Sequence, residues 1–80
     1  MNYETAIEVL KRKSRAQNPP GSGFISLRPS DLEPIPEAAE ITEFCSWLHE
    51  SGYTRSFPDR AAEGERFIHL SPFALAEWDL

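Results

Sequence analysis

The chain has 80 residues, 40% hydrophobic and 26% charged, with 13 acidic against 8 basic side chains and a net charge of −5. That length holds one domain with a modest core, the composition is globular rather than disordered, and the negative balance disfavours free nucleic acid and anionic membrane as partners of the surface as a whole. No apolar run approaches the ~20 residues of a membrane span, and the single cysteine, Cys45, excludes an internal disulfide and a cysteine-cluster metal site.

Residues 2–16 read as a helix, because Tyr3, Ala6, Ile7 and Leu10 recur along one face. Asn2 caps its start, Glu4 suits the first turn, and Lys11, Arg12, Lys13 and Arg15 crowd the last turns. The opening run MNYETAIEVLKRK holds no signal-peptide core, which predicts a cytoplasmic protein. Asn18-Pro19-Pro20-Gly21 stops the helix, inside a Pro/Gly/Ser linker at 17–23. Residues 23–28 then read as a short strand closed by Pro29, and residues 30–33 as a single capped turn before Pro34.

The strongest element is a helix over 37–51, entered from Pro36 and stopped by Gly52. Ala38, Ile41, Phe44, Cys45 and Leu48 form its apolar stripe. Glu43 and Glu50 fall opposite that stripe, with Glu40 and Trp47 on its edge. Residues 53–57 alternate as a strand, a long polar tip runs from Pro58 to Glu65, and residues 66–70 alternate as the returning strand. Ser71-Pro72 then caps a short helical tail through Trp78. The fold class expected is α+β: one small domain ordered helix, strand, helix, β-hairpin, short helix.

Charge is segregated along the chain. Residues 1–28 sum to +3 and residues 55–80 to −2. Residues 29–54 hold Asp31, Glu33, Glu37, Glu40, Glu43 and Glu50 with no Lys or Arg, a block of −6. Each block also has a plain reading as a solvated face, and the basic knot at 11–15 complements the helix dipole.

The tail of the long helix, Trp47-Leu48-His49-Glu50-Ser51-Gly52-Tyr53, leads into Thr54-Arg55, a Pro58-Asp59-Arg60 turn and Phe67-Ile68-His69-Leu70-Ser71-Pro72. Over residues 24–73 this pattern resembles a winged helix. The resemblance implies a recognition helix, an arginine-bearing wing and a DNA-binding transcriptional regulator. The chain departs from it where base reading would occur. Its helix from Glu37 to Ser51 carries four glutamates and no Lys or Arg, whereas base and phosphate contacts favour Arg, Lys, Asn and Gln.

The residues offer little to a catalytic reading. Gly21-Ser22-Gly23 lacks the lysine and helix start of a phosphate loop. His49 and His69 have no second ligand at metal spacing. Cys45 lies on the apolar stripe as a small hydrophobe, and only a Cys45/His69 pairing would recruit it to chemistry. Glu37, Glu40 and Glu43 sit on an exposed flank, without the enclosed setting of an acid/base couple. The expectation is a protein without catalytic residues, cofactor or metal.

An acidic face with a tryptophan at its margin suits a basic partner surface, and such surfaces belong mostly to nucleic-acid-binding proteins. In size, charge and lack of catalytic residues the chain is similar to phage-encoded anti-CRISPR proteins. That profile implies an inhibitor of a nucleic-acid-binding effector subunit, contacting it through Glu37, Glu40, Glu43, Trp47 and Glu50. The alternative is the DNA-binding regulator, using Lys11, Arg12, Lys13, Arg15, Arg55 and Arg60.

Overall fold

The computed structural model describes every residue except Asn18 and Ser22, so those two positions of the 17–23 linker lie outside the described residues. Helix α1 spans Tyr3–Ala16 and strand β1 Phe24–Leu27. A 3-10 turn at Pro29–Asp31 precedes helix α2, Ala38–Glu50. Strand β2 is Asp59–Arg60, a second 3-10 turn covers Ala62–Gly64, strand β3 is Arg66–His69, and helix α3 is Pro72–Glu77. The helix–strand–helix–hairpin–helix order read from the sequence is therefore the order of the fold.

Local chemistry explains the helix ends. The Thr5 N–H donates to Asn2 Oδ1 at 3.1 Å, which caps α1. Gly52, at φ +81°, takes the left-handed step that closes α2, and the Tyr53 N–H returns to Leu48 O at 2.9 Å. Ser71 Oγ accepts from the Ala74 N–H at 3.1 Å and donates to Gly52 O at 2.6 Å, so one hydroxyl starts α3 and ties it to the end of α2.

The three strands form an antiparallel sheet in the order β1-β3-β2. Alternation turns Ile25 and Leu27 of β1 and Arg66 and Ile68 of β3 inward. Against them pack Leu10 of α1, Phe44 and Leu48 of α2, Ala74 of α3 and Trp78 just past its end. Cys45 and Ile41 are buried as the stripe on α2 requires, while Ala38, expected on the same stripe, is exposed. Ala38 lies in the first turn of α2 and lines an open pocket shared with Arg60 and Arg66.

The hairpin departs from expectation. Its first strand is not 53–57 but Asp59–Arg60, inside what reads as the polar tip. Of residues 53–57 only Thr54 forms a bridge, to Leu70. Thr54 faces Leu70 and Asp59 faces Phe67, so residues 55–58 stand opposite only His69 and Ile68 and the chain must bulge between them. Pro58 lies in that excursion and has no N–H to give a ladder. The bridge is flanked by the Ser71 N–H donating to Tyr53 O at 2.9 Å and the Arg55 N–H donating to His69 O at 2.8 Å, so pairing begins at 53–55 and is lost over 56–58. Tyr53 packs 5.0 Å from Trp78 and 5.6 Å from Trp47, and Thr54 Oγ1 bonds His49 Nδ1 at 3.2 Å.

Ion pairs tie the far end of the sheet together. Glu65 accepts from Ser26 Oγ and from Arg28 Nε, the latter at 3.2 Å. Asp31 accepts from the Arg28 N–H at 2.8 Å and pairs with Lys13 Nζ at 2.9 Å, linking the first 3-10 turn to α1. The bonds to Ser26 and Arg28 hold the Glu65 carboxyl below its ordinary range. Partial burial pushes Asp31 up, but the Arg28 N–H and Lys13 outweigh it and the net displacement is downward.

Two outcomes follow from these contacts. Ser71→Ala removes a cap and a bond to Gly52 O and is expected to cost about 1–2 kcal/mol in urea unfolding; an unchanged midpoint would contradict the role given to that hydroxyl. For Glu65 and Asp31 the folded form holds its proton more weakly than the unfolded chain, so their contribution is present at neutral pH and lost as pH falls through the depressed values. The unfolding midpoint should stay level down to about pH 5 and decline below about pH 4, with a shallower decline in Glu65→Gln.

Candidate functional site

The five residues singled out in the sequence occupy four different settings. Glu43 and Glu50 are exposed on the side of α2 away from the core. Trp47 stands between them at helical neighbour spacing and is half-buried. Its ring lies 5.1 Å from Tyr3, so it covers the seam between α1 and α2 and stays partly open to solvent. Glu40 is engaged with the N-terminal ammonium, its Oε2 2.8 Å from Met1 N. Its other oxygen accepts from the Glu37 N–H at 3.2 Å. The ammonium, then that N–H, holds its carboxyl below the ordinary range. Glu37 is the N-cap residue, exposed at the start of the helix.

The structure thus brings Glu40, Glu43, Trp47 and Glu50 to one flank and leaves Glu37 apart at the entry. A shallow hollow of about 290 Å³ lies between Glu40, Glu43, Met1 and Tyr3. Among the described residues Glu37, Glu43 and Glu50 form no ion pair. Charge on this flank is therefore carried by Glu43 and Glu50, while that of Glu40 is spent within the fold.

The basic residues are dispersed. Lys11 pairs with Glu8 at 3.3 Å and Lys13 with Asp31, whereas Arg12, Arg15, Arg55 and Arg60 are exposed. The second tryptophan belongs to the interior: Trp78 is buried against Tyr53.

Cys45 and His69 lie on opposite sides of the sheet. Cys45 is fully buried in α2 beneath the inner face. His69 faces outward, stacked on Phe24 with ring centroids 4.0 Å apart. Burial pushes the Cys45 thiol above its ordinary range, although the nearby Arg66 charge pulls the other way. Such a thiol is a packing group and not a nucleophile. Among the described residues no cluster of His, Cys, Asp or Glu could hold a metal ion, and no helix is long and apolar enough to cross a membrane.

The sheet's outer face is the surface that sequence reading missed. Phe24 is 65% exposed and Phe67 51%; Phe57, also exposed, packs instead toward His49 at the end of α2, ring centroids 6.0 Å apart. Phe24, Ser26, Asp59, Phe67 and His69 line a groove of about 330 Å³. The signal was present as the alternation of Phe24 with Ile25 and of Phe67 with Ile68, but both faces of these strands are apolar. Compared with protein-family models, curated proteins and solved structures, the chain matches none.

The Cys45 environment generates its own test. In the native protein the thiol should resist Ellman's reagent at about pH 8 and react fully once the chain is denatured. Rapid labelling of the folded protein would place Cys45 somewhere other than the core.

Proposed function

We propose that this protein is a non-catalytic binding domain that docks the acidic flank of α2 on the basic surface of a nucleic-acid-binding protein. The observation that carries the reading is the pair Glu43 and Glu50: both exposed, both without an ion pair among the described residues, on either side of Trp47. Unpaired carboxylates lose little to internal partners when a basic surface approaches, and complementary potential speeds encounter. A half-buried tryptophan held by its neighbours offers contact area without losing much side-chain freedom.

Occupying such a surface would exclude DNA or RNA from it, which is inhibition of the kind anti-CRISPR proteins exercise on effector complexes. This reading puts the protein in the cytoplasm. The winged-helix regulator is less well supported, because the exposed arginines are spread over α1 and the hairpin while the helix that would enter a groove is acidic.

The deciding experiment uses Glu43→Lys/Glu50→Lys and leaves Glu40 in place, since Glu40 has structural partners. With wild type and the double variant as baits in a host lysate, the wild type should retain a basic protein that salt or competing DNA displaces. The variant should bind that partner about ten- to a hundredfold more weakly. Equal affinity would remove the acidic-flank reading. Retardation of a duplex oligonucleotide by the wild type at low salt would favour the DNA-binding regulator instead.

A further inference from the structure

Arg66 opens β3 and alternation turns it inward with Ile68, leaving it 4% exposed. Its guanidinium donates to Pro58 O at 3.4 Å and to Thr42 Oγ1 at 2.9 Å. Both acceptors are neutral. The Thr42 hydroxyl donates in turn to Ala38 O at 3.0 Å, which aims a lone pair at Arg66 and fixes the guanidinium. Among the described residues Arg66 forms no ion pair. A guanidinium largely withdrawn from bulk water without a counter-charge is costly, and the N–H groups not bonded to Pro58 and Thr42 are free to meet an acceptor in the adjoining pocket.

A second cation faces the same space. Arg60 is the direct cross-strand partner of Arg66, and directly opposed residues of an antiparallel pair project to the same side of a sheet. Like charges at such a pair repel. Both arginines line a pocket of about 440 Å³ between the first half of α2 and the β2–β3 hairpin. Ala38 and Ile41 give it an apolar wall, and the exposed Glu63 also lines it, without an ion pair to either arginine.

We infer that this pocket binds a phosphate monoester, its phosphoryl group between Arg60 and Arg66 and its organic part against Ala38 and Ile41. A dianionic tetrahedral group supplies acceptors to two guanidiniums at once and removes their mutual repulsion. The pocket is larger than a phosphate ion alone, which is why the ligand carries an organic part. Arg66 is held ready by Thr42 and Pro58, so little ordering is needed on binding. The site stands independently of the acidic flank and of the partner proposed for it.

The test follows the Arg66 Nε–H and Thr42 amide signals by NMR while inorganic phosphate, phenyl phosphate or chloride is added at constant ionic strength. Saturable shifts at those positions with phenyl phosphate, weaker ones with inorganic phosphate and none with chloride are expected. Arg60→Gln, an exposed position whose loss leaves the core intact, should weaken phenyl phosphate at least about tenfold. Glu63→Gln should strengthen it. No saturable shift by about 20 mM phenyl phosphate, or equal affinity in Arg60→Gln, would overturn the site. Equal affinity for the two phosphates would overturn the monoester and leave only an oxyanion site.

Discussion

Strand alternation on a sheet covered from one side only constrains everything else in this protein. Ile25, Leu27 and Ile68 point to the same side, and residues from all three helices meet them there. Among the described residues no helix packs on the opposite face. Phe24 and Phe67 stay largely in solvent for that reason, although each flanks a buried isoleucine in the chain. The same arrangement turns the polar side of α2 outward, because Phe44 and Leu48 commit its other side to the sheet.

Alternation also decides the fate of Arg66. The position two residues before Ile68 must point inward, whatever occupies it. An arginine there reaches the margin of the core, where Thr42 and Pro58 provide neutral acceptors. The bulge between Thr54 and Asp59 is part of the same construction, since it brings the Pro58 carbonyl under the guanidinium. Cys45 experiences that charge through space, yet burial dominates its thiol. The core is thus bounded at one end by a cation that the fold itself does not neutralise.

Most of the fold was legible because its determinants are local. Asn2, Gly52 and Ser71-Pro72 mark helix ends through bonds within a few residues, and the stripe from Ile41 to Leu48 announces its own burial. The first strand of the hairpin was not legible. Residues 53–57 alternate convincingly, but Tyr53 is claimed by aromatic neighbours from α2 and α3, and Pro58 breaks the ladder. Of the candidate site, the flank of Glu43, Trp47 and Glu50 followed from helical geometry alone. The engagement of Glu40 by an ammonium 39 positions away did not. The isolation of Arg66 is likewise tertiary: six carboxylates precede it within the acidic block, and none arrives beside it.

Helix α2 presents two chemically opposed flanks, and geometry decides whether they interfere. At about 100° per residue, Ala38, Ile41 and Thr42 cluster on one side, while Glu43 and Glu50 lie roughly 120–180° around from the middle of that cluster. A helix with its side chains is about 10–12 Å across, and the Debye length at physiological salt is about 8 Å. Through solvent the glutamates are therefore largely screened from the arginine pocket. A basic surface docked on the acidic flank would not draw an anion from the far side, nor would a bound phosphate discharge the glutamates. Coupling would have to pass through the helix itself, along Thr42 and the Arg66 guanidinium it holds, neither of which touches Glu43 or Glu50 by any hydrogen bond among the described residues. Occupation of either proposed surface is therefore expected to leave the other unaffected, because the body of α2 separates them.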